Sequence, residues 1–322
     1  MHSAMLIITG LVLFLYALNT LSDSLKQLAG DKLQAFLDRF TNNAIKGVLS
    51  GLVVTILLDS SSVVIIMTIA LVNAGALRFR QAMGVVLGAN IGTTISSQIF
   101  ALGVGAYAAV PIVIGFVMMF FLKKDFYVQL GKVLFSFGLI FFGLFTMEEA
   151  VAPLKENNFF VSWLKTLETP WRGVLAGAVV TVVLQSSSAT VGMVITLAGQ
   201  GLMNVSAGIA VMLGAELGTC ADTLVASIGR SKAAVKTGLF HLIFNIATIS
   251  LGLLLLHPFT NAVLALSGKA EVQKVIANAH VLFNTAGVLL ALPLLPLFEK
   301  LMHTLVSETP PQHKTSLKPK EG

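Results

Sequence analysis

Charge is scarce in this chain. Of 322 residues only 11% are Asp, Glu, Lys or Arg, against 56% hydrophobic, whereas soluble domains carry about 25% charged residues. With a mean hydropathy of +0.88, that deficit excludes an ordinary water-soluble domain and leaves an integral membrane protein. Strict alternation of polar and apolar residues is missing too. The apolar windows, roughly 17–25 residues long, are continuous runs of Leu, Val, Ile, Ala and Gly, which suit spanning helices and not an outer-membrane barrel. A single cysteine, Cys220, excludes a disulfide within the chain and reads as a small packing residue. No basic residue precedes the first apolar segment, residues 4–21. That segment therefore lacks the charged start of a signal peptide and is expected to be a retained span. Basic clusters are absent as well. The 21 Lys and Arg are scattered singly between spans, which argues against nucleic-acid binding and for cytoplasmic loops.

What the sequence does contain is a repeated polar interruption. TILLDSSSVVIIM (residues 55–67) and TVVLQSSSATVGM (181–193) each set three serines inside apolar sequence. Both belong to a longer duplication. Residues 47–97 align with 173–223 at a constant offset of 126, with 21 identities in 51 positions, running into VVLGANIGTT (85–94) and VMLGAELGTC (211–220). Spans are expected near 4–21, 84–102, 104–122, 130–148, 205–228, 237–256 and 276–298. The serine segments, 47–75 and 173–201, have arms of about 12–14 residues, short for crossing, and are expected to be re-entrant hairpins. Three spans then separate equivalent elements, so the halves are inverted in the membrane.

The expected architecture is an all-α, multi-pass membrane protein of inverted-topology repeats with two serine-tipped re-entrant hairpins. Residues 1–128 form membrane repeat 1, and 129–305 form membrane repeat 2 with an additional C-terminal span. Residues 306–322 form a disordered cytoplasmic tail, rich in Pro and Lys. Sixteen Lys and Arg fall on one side and five on the other, which puts the C-terminus in the cytoplasm and the N-terminus outside. Residues 22–40 and 159–167 mix apolar and charged positions and are expected to lie along the headgroups, the second anchored by Trp163.

A lone serine triplet in a membrane helix is ordinarily a packing device. Two triplets at matching positions of inverted halves point instead to a substrate site built from half-helices. No Lys or Arg lies within either hairpin or the Gly-Ala segments. An anion there would be held by serine hydroxyls, backbone N–H groups and helix N-termini. Six hydroxyls without a fixed cation suit a tetrahedral oxyanion neutralised by co-bound Na⁺. Such coupling draws on about 2.3 kcal/mol per charge for every 100 mV. In the Gly-Ala segments, Gly88, Gly92, Gly214 and Gly218 allow close helix contact, while Asn90, Thr93, Glu216 and Thr219 offer oxygen ligands. A carboxylate inside a span is a functional residue by default.

These paired triplets, with GANIGTT (88–94), HLIFN (241–245) and HVLFN (280–284), resemble the type II sodium–phosphate cotransporter family and its bacterial members. The resemblance covers about residues 6–301. It implies a secondary active transporter and no enzyme: Na⁺-coupled symport of inorganic phosphate by alternating access, in the lipids of the inner or plasma membrane, as a homodimer. It implies substrate contacts from Ser60, Ser61, Ser62, Gln185, Ser186, Ser187, Ser188, Asn90, Thr93, Thr94 and Thr219. Sodium ligands are implied among Ser62, Ser188, Thr93, Thr219 and Glu216. Three acids depart from the family pattern. Asp59 stands where Gln is expected, Glu216 where Asn is expected, and Asp222 is additional; all three are expected to affect coupling or selectivity. Many bacterial members carry a cytoplasmic regulatory domain after the membrane part, and this sequence is expected to lack it. Other readings are a phosphate exporter, a proton-coupled carrier of another small oxyanion, a channel, or an intramembrane serine hydrolase. The hydrolase would need a base beside a serine, and His241 and His280, otherwise structural, are the candidates.

Overall fold

The computed structural model describes residues 2–30, 35–37, 41 and 43–306. Among them there is no strand, and nearly all lie in fourteen α-helices and three short 3₁₀ turns. The first half comprises α1 (His2–Ala29), α2 (Ala44–Leu58), α3 (Ser61–Asn73), α4 (Phe79–Phe100) and α5 (Ala109–Phe121). The second runs through α6 (Asp125–Val151), α7 (Asn158–Thr166), α8 (Pro170–Leu184), α9 (Ser187–Gly199), α10 (Val205–Ser227) and α11 (Lys232–Leu254). It ends with α12 (Leu256–Ser267), α13 (Val272–Ala291) and α14 (Leu295–Leu305).

Among the described residues six helical stretches are long and apolar enough to cross a membrane, which makes this a multi-pass membrane protein. Helix α4 falls short on hydropathy alone. Its 22 residues reach ~33 Å, and Asn90, Thr93, Thr94, Ser96 and Ser97 are buried against protein, so no lipid meets them. Helices α2 and α3, at 15 and 13 residues, reach only ~20–22 Å, less than the ~30 Å of hydrocarbon. The repeat shows in the helix boundaries. Helices α8 and α9 start and end 126 residues after α2 and α3, and α10 starts 126 after α4.

Glycine sets the packing behind each short pair. A Cβ on Gly88 would sit 2.0 Å from the Val48 carbonyl oxygen, and one on Gly214 2.0 Å from that of Val174. Helix α4 thus lies backbone-to-backbone on α2, and α10 on α8, the contact small residues allow in membranes. Helices α1 and α6 cross in the same manner at Gly10 and Gly143. Contacts between helix ends sort the molecule into two faces. One holds Arg80 with Glu299 (4.0 Å), Lys236 Nζ with His303 Nδ1 (2.7 Å), and the Ser231 N–H donating to Asn73 Oδ1 (2.8 Å). The other holds the Gln200 amide donating to Glu148 (2.8 Å) and that of Asn204 donating to Glu168 (2.9 Å).

The structure amends the expected elements in two places. Residues 22–29 are not a separate headgroup helix but the last two turns of α1; much of 30–40, and the tail beyond 306, lie outside the described residues. Helix α12 was not expected. The segment at 159–167 is helical, as α7, and meets α8 at a 103° bend; Trp163 is half exposed there.

Candidate substrate site between two serine-tipped helix pairs

Each short pair turns on one residue. Asp59 caps α2 at φ 52, ψ 30, and Gln185 caps α8 at φ 52, ψ 31, the two positive-φ non-glycine residues among those described. The left-handed conformation costs a non-glycine residue about 1–2 kcal/mol and persists where surrounding structure over-determines it. The next residue is extended in both halves, and its hydroxyl closes the following helix. Ser60 Oγ accepts from the Val63 N–H (3.3 Å), and Ser186 Oγ from the Ala189 N–H (3.1 Å). The carbonyl end of one helix and the amide end of the next therefore sit side by side, partial negative charge beside partial positive.

Both tips face a single cavity of about 110 Å³. From the first tip come Asp59, Ser60, Ser61 and Ser62, from the second Gln185, Ser186, Ser187 and Ser188, and from α4 Thr93. Ser61 and Ser187 open their helices, are largely buried, and have hydroxyls not used in capping. The remaining wall is α1, through Leu18, Asn19, Ser22, Asp23 and Lys26. Lys26 Nζ pairs with Asp23 Oδ1 at 3.1 Å. None of these α1 residues was anticipated. The signal was there, because positions 19, 22, 23 and 26 follow the spacing of one helix face within an otherwise apolar span.

The acids fall into two groups. Ser96 donates a hydrogen bond to Asp59, and Ser62 donates to Asp222 Oδ2 at 3.4 Å. Positions 59 and 96 are the repeat equivalents of 185 and 222. The first half carries its acid at the tip and a serine on the long helix; the second carries glutamine at the tip and its acid on the long helix. Each half thus brings one carboxylate to the neighbourhood of the serines.

Glu216 is elsewhere. Its Oε1 lies 2.6 Å from His280 Nε2 and 3.3 Å from Asn284 Nδ2, while His280 Nδ1 lies 2.6 Å from Ser97 Oγ. All four residues are buried. His280 thus bridges Glu216 on one long helix to Ser97 on the other, one ring nitrogen to each. Thr223, the repeat equivalent of Ser97, meets His241 Nδ1 at 2.9 Å. Helix α13 therefore stands to α4 as α11 stands to α10, an equivalence the offset of 126 conceals. Asn90, Thr94 and Thr219 lie behind the cavity without lining it, donating to the carbonyls of Val86 (3.1 Å), Ile91 (2.7 Å) and Ala215 (3.0 Å). Among the described residues no triplet serine is hydrogen-bonded to a histidine, and no group of three His, Cys, Asp or Glu is placed to hold a metal ion.

Comparison with known proteins also finds two copies along the chain. The Na⁺/Pi-cotransporter family matches twice, over residues 13–149 and 146–295. A Bacillus subtilis (strain 168) protein of uncharacterized function, YqeW, is 31% identical over 301 residues, covering 92% of this chain and 97% of its own. An Escherichia coli (strain K12) protein, YjbB, named as a candidate inorganic phosphate export protein, is 24% identical over 317 residues, 98% of this chain but 58% of its own length. The chain thus spans little more than half of that relative. The sodium-dependent phosphate transport protein 2A of Oryctolagus cuniculus is 37% identical over 102 residues, 30% of this chain and 15% of its own. No solved structure matches.

Proposed function

The chain belongs to the Na⁺/Pi-cotransporter family, and we propose that it carries inorganic phosphate across the membrane together with Na⁺. The observation that carries this reading is the convergence of both serine tips on one cavity. Hydroxyls and the exposed amide ends of α3 and α9 supply donors for a tetrahedral oxyanion. The cavity wall cannot hold that anion by charge alone. Asp59 and Asp23 outnumber Lys26 among the lining residues, so a phosphate dianion needs cations beside it. The carbonyl ends of α2 and α8, the triplet hydroxyls, Asp59 and Asp222 form a hard-oxygen set suited to Na⁺. Coupling then has a plain electrostatic origin: each ion makes room for the other.

The cavity is walled by the last turns of α1, at the face that carries Arg80 and Lys236. The preference for basic residues inside supports reading that face as cytoplasmic, with the cavity reached from within. This arrangement, with the name of the Escherichia coli relative, favours a second reading in which the same site releases phosphate outward. A hydrolase has less support, since His241 and His280 are engaged with Thr223 and Ser97 and line none of the cavities described.

Labelled phosphate flux in proteoliposomes separates these readings, with inward and outward Na⁺ gradients set against K⁺ and pH varied independently. Na⁺-driven accumulation that is lost in Ser61→Ala and Ser187→Ala supports the symporter. Flux that follows the proton gradient and ignores Na⁺ refutes Na⁺ coupling. Absence of saturable phosphate flux refutes the substrate.

A further inference from the structure

Helices α1 and α6 occupy equivalent places in the two halves, and each walls a cavity with the same four positions. Leu18, Asn19, Ser22 and Asp23 face the serine-lined cavity. Leu144, Phe145, Glu148 and Glu149, each 126 residues later, face a second cavity, lined also by Phe100 and Thr196. The two cavities lie at opposite faces. The end of α1 packs on the cluster that holds Phe79 and Met302, whereas Glu148 accepts from Gln200 on the far side.

Their chemistry differs where their geometry matches. One turn beyond Asp23 the first cavity has Lys26; the equivalent position in the second half is Ala152. Among the described residues lining the second cavity there is no Lys or Arg, and there are two carboxylates, Glu148 and Glu149. At the α1 wall of the first cavity an anion meets Lys26 beside Asp23, one base to one acid. At the α6 wall of the second it meets two acids and no base.

We infer that Lys26 is a face-specific recruiting residue: it draws phosphate into the serine cavity from its own face and lowers the half-saturation concentration there relative to the opposite face. The inference rests on the phosphate reading above. The Lys26–Asp23 pair is an i,i+3 contact with side chains 37% and 68% exposed. Exposed pairs of this kind contribute little, so the ammonium leaves Asp23 readily for a multiply charged anion. Ion gradients still fix the overall equilibrium, and the lower half-saturation on one face is balanced by the maximal rates in the two directions. The proposed asymmetry is therefore kinetic.

The test is labelled phosphate flux in right-side-out and inside-out membrane vesicles, for the unaltered protein, Lys26→Ala, Lys26→Arg and Glu149→Lys. Lys26→Ala is expected to raise half-saturation from the Lys26 face by roughly two- to fivefold, an effect that shrinks at high salt and is absent from the opposite face. Lys26→Arg retains the original value, and Glu149→Lys lowers half-saturation from the second face. A change on Lys26→Ala that is equal on both faces, or none on either, overturns the inference while the phosphate reading stands. Absence of saturable phosphate flux in the unaltered protein overturns both together.

Discussion

Ser186 and Ser187 are adjacent, line the same cavity, and are predicted to fail in different ways. The Ser186 hydroxyl is committed to the Ala189 N–H at 3.1 Å and caps α9. Replacing it with alanine removes the cap, which is expected to destabilise the protein by about 1 kcal/mol. The Ser187 hydroxyl opens the same helix, is largely buried, and faces the cavity without a capping role. Alanine there preserves the helix, so stability should change by less than about 0.5 kcal/mol. What it loses is a donor to the anion. A hydrogen bond to a charged group contributes about 1.5–3 kcal/mol, which converts to roughly a tenfold to hundredfold rise in the phosphate dissociation constant. Ser60 and Ser61 should divide in the same way, because Ser60 caps α3 through Val63. Phosphate binding to purified protein, with thermal unfolding of the same samples, measures both quantities. The division of labour is refuted if Ser186→Ala weakens binding as much as Ser187→Ala while unfolding at the unaltered temperature.

Three further outcomes are expected. Gly214→Ala sets a methyl 2.0 Å from the Val174 carbonyl oxygen, where ordinary contact begins near 3.4 Å; overpacking of this kind costs about 1–3 kcal/mol, readable by thermal unfolding, and Gly88→Ala should match it. Glu216→Ala leaves the buried His280 and Asn284 without their acceptor and should destabilise by about 1–3 kcal/mol; Glu216→Gln, which keeps an acceptor, should lose clearly less, and an unchanged stability in Glu216→Ala would mean that the contact contributes little. Asp222→Asn, beside Ser62, should raise the Na⁺ concentration needed for half-maximal phosphate flux by about tenfold, the worth of one charged contact; an unchanged Na⁺ response removes Asp222 from the cation site.

The parts of this architecture that repeat along the chain were legible without coordinates. Gapless alignment of residues 47–97 with 173–223 placed both tips, because backbone conformation there depends on local chemistry: a residue that tolerates a left-handed turn, then a serine able to cap. Contacts between distant segments were not legible. Glu216 is set 64 residues from His280 in sequence, and nothing in GAELGTC announces that its acid turns toward α13. The HxxFN segments, 39 residues apart, hinted at the α11–α13 equivalence, but helices running in opposite directions share contacts without sharing a register. Helix α12 escaped notice because twelve residues that mix apolar positions with His257, Pro258, Thr260 and Asn261 fit neither a span nor a loop. Lys26 escaped because attention to charge inside the hairpins overlooked charge brought to them by a neighbouring helix.

The glycine seams decide which parts of the molecule can move. Where α2 lies on α4, and α8 on α10, the backbones meet directly at Gly88 and Gly214, which leaves little room for either helix to slide. Each first arm and the long helix behind it are therefore expected to move as one block. The second arm α3 contains no glycine and grips its neighbours through side chains, which can repack, so compliance in the first half is expected at the one-residue turn, Asp59. Spin labels on α2 and α4 should keep one distance under every ionic condition, while labels on α2 and α8 should not.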